Sequence, residues 1–128
     1  MKKKGFTLVE VLIITAIIAL LATIAIPNLL SARMTANDVM AQATLKAVAK
    51  SMEHYMIANQ GYPTTAAELT TGTPPYINED YFTGTRSGFT YTNTVDSGGY
   101  TISAEPVAIG RTGTTTYTIT TGAVFLNN

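Results

Sequence analysis

The sequence predicts an α+β protein in which a long N-terminal helix packs on a C-terminal antiparallel sheet of three to four strands. Nineteen of the 25 residues from 6 to 30 are apolar, and residues 34–59 repeat apolar side chains every three or four positions. Residues 89–126 instead alternate apolar with hydroxylated side chains. The first repeat is the period of a helix and the second that of a half-buried strand, so the chain divides into an α part and a β part.

Composition limits the chain to a small set of functions. Its 128 residues are enough for one modest domain. It has no Cys, which excludes a disulfide framework, a thiolate metal site and a cysteine nucleophile. Eight basic side chains balance eight acidic ones, and a nucleic-acid-binding protein would carry a basic excess.

The N-terminal apolar block predicts a membrane-spanning helix. Twenty-five helical residues extend about 37 Å, which exceeds the roughly 30 Å hydrocarbon core of a bilayer. The block is also longer than the apolar region of about 7–15 residues in a cleavable secretory signal. Lys2, Lys3 and Lys4 precede it. Positive charges remain on the cytoplasmic side, so we expect a single-pass segment with its N-terminus in the cytoplasm.

Two residues in this block are unusual for a plain anchor. An acidic residue such as Glu10 costs about 2.5–3.5 kcal/mol at mid-membrane and less near the interface. Pro27 cannot donate a hydrogen bond to the carbonyl of Thr23, so it weakens that turn. Simpler explanations are that Glu10 favours the helix dipole and that Pro27 is a tolerated membrane-helix proline.

Residues 34–60 are predicted to form an amphipathic continuation of the helix, ended by Gly61 and Pro63. Lys46, Lys50 and Glu53 are expected on its other faces. The apolar stripe that should pack on the sheet consists of Ala41, Leu45, Val48, Met52 and Tyr55 with Met56.

The rest of the chain is predicted to be a connecting region, 61–88, followed by a sheet over 89–128. One helical turn is expected at 65–69. Two alternating runs on either side of a turn at 96–99 indicate a hairpin. A third run covers 115–121, and Val124 with Phe125 suggests a fourth short strand.

The sequence offers no catalytic or metal-binding constellation. His54 is the only histidine, and a lone histidine is more often a surface or packing residue than a ligand. Asn78, Glu79 and Asp80 suggest a turn, because no EF-hand spacing supports a calcium site. We therefore expect no catalytic residue, no metal ligand and no cofactor, and the protein is predicted not to be an enzyme.

The N-terminal sequence resembles the class III signal of type IV pilins and their pseudopilin relatives. The resemblance rests on KKKGFTLVE at residues 2–10, followed by the apolar run to Leu30 that contains Pro27. It implies a pilin fold, with cleavage between Gly5 and Phe6 by a prepilin peptidase and N-methylation of Phe6. It further implies an assembly role for Glu10 and a helix kink at Pro27.

These expectations define five segments. They are a leader peptide at 1–5, a transmembrane and filament-core half-helix at 6–33, an amphipathic half-helix at 34–60, a connecting loop at 61–88 and a sheet at 89–128. Removal of Lys2, Lys3 and Lys4 with the leader leaves five basic against eight acidic side chains.

The resemblance implies a structural subunit that is processed, then polymerised from the membrane into a helical homo-oligomer by the pilus assembly machinery. The precursor would lie in the inner (cytoplasmic) membrane and the product in an extracellular pilus, for which adhesion, motility, DNA uptake and electron transport are all open roles. One alternative is a type II secretion pseudopilin in a periplasmic fibre. Another is a membrane-anchored binding domain that does not polymerise. No nucleic-acid partner is predicted.

Overall fold

A computed structural model of the chain describes residues 1, 4–96 and 98–126 and divides it into two compact units between Arg33 and Met34. Parts of three predicted features lie outside the described residues: the leader charges Lys2 and Lys3, the turn residue Ser97, and residues 127–128 at the end of the predicted sheet.

Helix α1 extends from Leu8 to Asn59 and contains Pro27. It begins two residues later than predicted, because Thr7 occupies the capping position and accepts a hydrogen bond from the Glu10 N–H at 3.2 Å. In the N-terminal unit, none of the residues of α1 is buried.

The C-terminal unit contains the second half of α1, the short helix α2 and one sheet. As predicted, Leu45, Val48 and Met52 are fully buried. The remaining elements are α2 (Ala66–Thr70), β1 (Thr85–Arg86), β2 (Phe89–Asp96), β3 (Gly99–Pro106), β4 (Tyr117–Thr120) and β5 (Val124–Leu126).

The sheet has the order β1-β2-β3-β4-β5, with every neighbouring pair antiparallel. The predicted antiparallel sheet is confirmed, but it has five strands where three to four were expected. Strand β1 has only two residues, too few for an alternating pattern to be recognised. Both β1 and α2 lie in the segment predicted to be a connecting loop.

The sheet buries one face against α1. Ile102 pairs with Asn93 on one side and with Ile119 on the other. The same face carries Phe89 and Tyr100, both almost completely buried. Strand alternation places the hydroxylated residues of β2 and β3 on the opposite face, which is why the period of two was visible in the sequence.

Glu53, predicted to lie outside the apolar stripe, lies at its border and joins three segments of the unit. Its Oε1 accepts hydrogen bonds from the Tyr100 hydroxyl at 3.0 Å and from the Gly122 N–H at 2.7 Å. The Tyr62 hydroxyl donates to Oε2 at 3.3 Å. One carboxylate thus connects α1 to β3, to the turn between β4 and β5, and to the segment that follows α1.

Asp38 connects the other end of the same helical segment to the β3–β4 loop. Its carboxylate is almost completely buried and accepts the Thr114 N–H at 3.0 Å and the Thr114 hydroxyl at 2.7 Å. Gly113 passes close to Phe89, and a Cβ at this position would lie 2.3 Å from the Phe89 Cζ. A side chain at residue 113 would therefore displace the loop from the core.

We expect Leu45→Ala to lower the free energy of unfolding of the C-terminal unit by about 2–5 kcal/mol, since it leaves a cavity in the core. Urea denaturation of the detergent-solubilised chain measures the change. Val39→Ala is the matched control on the same helix, because Val39 is 60% exposed. Equal destabilisation by both changes would contradict the assignment of Leu45 to the core.

The stability of this unit should fall as the pH rises above about 10. Burial, followed by the nearby Glu53 carboxylate, raises the pKa of Tyr100 above its ordinary value of 10.0. Because the folded pKa is higher than the unfolded one, the stabilisation is complete below pH 10 and is lost as the hydroxyl ionises above it. Tyr100→Phe should therefore make stability depend less on pH between 10 and 12, as measured by urea denaturation. If Tyr100→Phe left the fall in unfolding free energy between pH 10 and 12 unchanged, Tyr100 would not be the cause of the alkaline loss of stability.

Candidate functional site

The predicted cleavage position lies in an open, non-helical stretch just before α1. A side chain built on Gly5 would have no heavy atom within 4 Å, and the Phe6 side chain is 81% exposed. Lys4, Gly5, Phe6 and Glu10 line one surface depression of about 340 Å³. The backbone between residues 5 and 6 is thus accessible, and four of the predicted residues lie together.

Glu10 is bound by Thr7 in a reciprocal cap at the start of α1. The Thr7 N–H and the Thr7 hydroxyl both donate to Glu10 Oε2 at 2.9 Å. Both bonds end on one oxygen, so the carboxylate retains lone pairs that can accept a further donor, such as an ammonium group. The Thr-x-x-Glu spacing before an apolar run is the sequence signature of a capping box. Thr7 lies within the motif at residues 2–10, and the Thr-x-x-Glu spacing predicts its capping role, which the resemblance alone did not imply.

The helical segment after Glu10 exposes a continuous apolar surface. Leu8, Leu20 and Ile24 are examples, each more than 60% exposed. The two hydroxyls in the segment bond within the helix, Thr15 to the Leu12 carbonyl and Thr23 to the Ala19 carbonyl, both at 2.9 Å. By length and composition α1 can cross a membrane, with a mean hydropathy of 2.7 over its most apolar window. The segment therefore has the surface of a helix suited to lipid or to other apolar helices.

Pro27 lies within α1, away from the residues around the cleavage position. The backbone is helical from residue 24 to residue 30, on both sides of Pro27. A kink or local loss of helix at Pro27 stays a prediction.

In the C-terminal unit, the outward face of α1 is also apolar. Val39 and Met40 are more than half exposed, and Ala43 and Ala47 continue the same exposed face. With its other face in the core, this segment is apolar on two sides. A helix of this kind, in a small protein, indicates contact with a further apolar surface.

The two acidic side chains of the turn at Asn78–Asp80 are paired with other residues of the same chain. Glu79 pairs with Arg86 at 2.6 Å. The Thr83 hydroxyl and the Phe82 N–H donate to the Asp80 carboxylate and lower its pKa, in that order of effect. Among the described residues, no group of three or more His, Asp or Glu side chains could hold a metal ion. His54 is exposed on α1.

Comparison with known proteins finds a matching family model and several similar proteins. The family model described as the prokaryotic N-terminal methylation motif matches residues 1–26. The type IV wide pilus major component PilA4 of Thermus thermophilus is 52% identical over 66 residues, which cover 52% of this chain and 50% of that protein.

Type II secretion system core proteins G are also similar. The protein from Escherichia coli is 34% identical over 64 residues, and that from Vibrio cholerae is 36% identical over 64 residues. Each alignment covers 50% of this chain and 44% of the relative. The chain thus spans about half the length of these relatives. No solved structure matches it. The chain carries a prokaryotic N-terminal methylation motif and is similar to a type IV pilus component and to type II secretion system core proteins.

Proposed function

We propose that this chain is the structural subunit of a type IV pilus. A prepilin peptidase cuts the precursor between Gly5 and Phe6 and the new N-terminus is methylated. The pilus assembly machinery then adds the subunit to a helical extracellular filament. Before assembly the precursor lies in the inner (cytoplasmic) membrane, with the lysines of the leader in the cytoplasm. The role is structural and not catalytic.

The observation that carries this proposal is the exposed apolar surface of residues 8–30, most of which lies within the stretch that matches the methylation motif. Exposed apolar patches on soluble monomers rarely exceed a few hundred Å². The bilayer covers this surface in the precursor. In the filament, the same helices of neighbouring copies cover it, together with the outward face formed by Val39, Met40, Ala43 and Ala47.

Glu10 supports assembly through its remaining hydrogen-bonding capacity. Cleavage turns the backbone nitrogen of Phe6 into a charged amine, one helical turn from Glu10. The amine that pairs with the carboxylate is that of a neighbouring subunit or that of the same chain. Pairing with a neighbour holds an incoming subunit in register before its apolar helix packs.

Similarity to the type II secretion core proteins G favours a second candidate function, a pseudopilin that forms a shorter periplasmic fibre. The processing and assembly steps are the same in both cases. The location of the fibre separates them.

Electron microscopy of sheared surface material, combined with mass spectrometry of its N-terminus, tests the proposal. We expect long fibres whose subunits begin with methylated Phe6. Fibres confined to the periplasm would favour the pseudopilin. A mature protein that retains residues 1–5 would refute both functions.

Replacing Gly5 with Val should block processing, because a branched side chain obstructs the backbone at the cut. Intact-mass measurement of the membrane fraction should show the leader still attached and no fibres on the cell surface. Gly61→Val is the control, since Gly61 also has no heavy atom within 4 Å of a built Cβ. Normal processing of Gly5→Val would contradict the assigned cleavage position.

Glu10→Ala should lower the yield of sheared fibres by more than about tenfold, while processing continues. Removal of one partner of a buried ion pair leaves an uncompensated charge and costs about 3–5 kcal/mol. Glu105→Ala removes an exposed carboxylate on the sheet and serves as the control. Unchanged fibre yield and subunit register in Glu10→Ala would exclude an assembly role for Glu10.

A further inference from the structure

The β3–β4 loop presents an apolar and positively charged tip, which we define as residues 107–113. Val107 is 58% exposed and Ile109 is 73% exposed. Arg111 is exposed too, and within the described part of the chain its guanidinium has no hydrogen-bond or ion-pair partner. The loop tip thus presents two aliphatic side chains and one unpaired cation that the described residues of the unit leave exposed.

The loop tip is organised by its own hydrogen bonds. The Arg111 and Thr112 N–H groups donate to the Ala108 carbonyl at 3.0 and 2.9 Å, and the Ala108 N–H donates to the Thr112 hydroxyl at 3.0 Å. The Asn37 side chain donates to the Thr112 carbonyl at 2.8 Å and attaches the loop tip to α1. A preorganised loop loses little conformational entropy on binding, which favours its use as a contact.

A cleft of about 690 Å³ lies elsewhere in the same unit, between the end of α1 and the β2–β3 turn. Met56, Val95 and Tyr62 supply its apolar lining, and Asp96 supplies a carboxylate. Asp96 Oδ1 accepts the Gly98 N–H at 2.8 Å, and no basic side chain of the described residues pairs with this carboxylate. The cleft therefore offers an apolar wall next to an anion.

The loop tip and the cleft are complementary in charge and apolar character but lie far apart in one chain. The loop tip is attached at residues 37–38 of α1 and the cleft is lined by residue 56. These positions are about five helical turns, or about 27 Å, apart. One copy cannot fill its own cleft. Contact between two different patches is heterologous, and a heterologous contact whose rotation does not close a ring repeats into the open helical arrangement that a fibre requires.

We propose that the loop tip of one copy docks in the cleft of the next. Val107 and Ile109 pack against Met56 and Val95, while the Arg111 guanidinium pairs with the Asp96 carboxylate. This inference rests on the proposed filament function and names a contact between outer units of neighbouring subunits. If a small molecule or an unrelated protein occupied the cleft instead, the loop tip would make no contact with a neighbouring subunit in the fibre.

Cysteine cross-linking tests the contact, since the chain has no Cys of its own. In Ile109→Cys with Met56→Cys, mild oxidation of sheared fibres should produce a ladder of disulfide-linked multimers on a non-reducing gel. A disulfide requires Cα atoms about 4.4–6.8 Å apart, so only docked copies can react. The matched control combines Ile109→Cys with Ile57→Cys, because Ile57 is 77% exposed and does not line the cleft.

The outcomes separate this inference from the function on which it rests. A ladder in the first variant and not in the control supports docking. Intact fibres in which the two variants cross-link equally or not at all would overturn the contact and leave the filament function standing. Absence of fibres from the unaltered chain would overturn both.

Charge reversal tests the ion pair separately. Arg111→Glu should slow ladder formation by about two- to fivefold, as expected for a partly exposed ion pair. Adding Asp96→Lys should restore the rate, and Lys50→Glu should leave it unchanged. If the variant with both Arg111→Glu and Asp96→Lys formed the ladder as slowly as Arg111→Glu alone, the pairing of Arg111 with Asp96 would be excluded.

Discussion

Apolar side chains from residue 8 to residue 30 form a surface that the chain leaves in contact with solvent, and this constraint governs the rest of the protein. Each Å² of apolar surface left in water forgoes roughly 25 cal/mol of stabilisation. Lipid can cover the surface in a precursor, and other copies can cover it in a fibre. An acidic residue at the start of such a helix needs hydrogen-bond donors in either environment, and Thr7 supplies two of them to one oxygen of the Glu10 carboxylate.

The C-terminal unit is held by carboxylates at two levels of the same helix. Asp38 anchors the β3–β4 loop, and Glu53 anchors β3 together with the β4–β5 turn. A chain without cysteine has no disulfide to close its C-terminal region. Here β5 pairs with β4 and Phe125 is half-buried beneath Lys46, whereas Val124 is 55% exposed.

Sequence periodicity predicted the features of the fold that depend on residues close to one another along the chain. The stripe of Leu45, Val48 and Met52 and the alternation in β2 and β3 both follow from local geometry. The helical turn near 65–69 is confirmed as α2. Strand β1 was missed because two residues carry no period. In the candidate site, the processing residues follow from the motif, and the capping role of Thr7 could have been predicted from the Thr-x-x-Glu spacing.

The division into an apolar half-helix, an amphipathic half-helix and a sheet follows from the amino-acid sequence alone, as does the motif that indicates processing. The polar groups that hold the unit together, and the positions of its complementary surfaces, become visible in the folded chain. Glu53 meets Gly122 across 69 residues and Asp38 meets Thr114 across 76. The periodic patterns follow from backbone geometry that repeats every two residues in a strand and every 3.6 residues in a helix. Long-range pairs depend instead on how distant segments pack, and no period in the sequence encodes that packing.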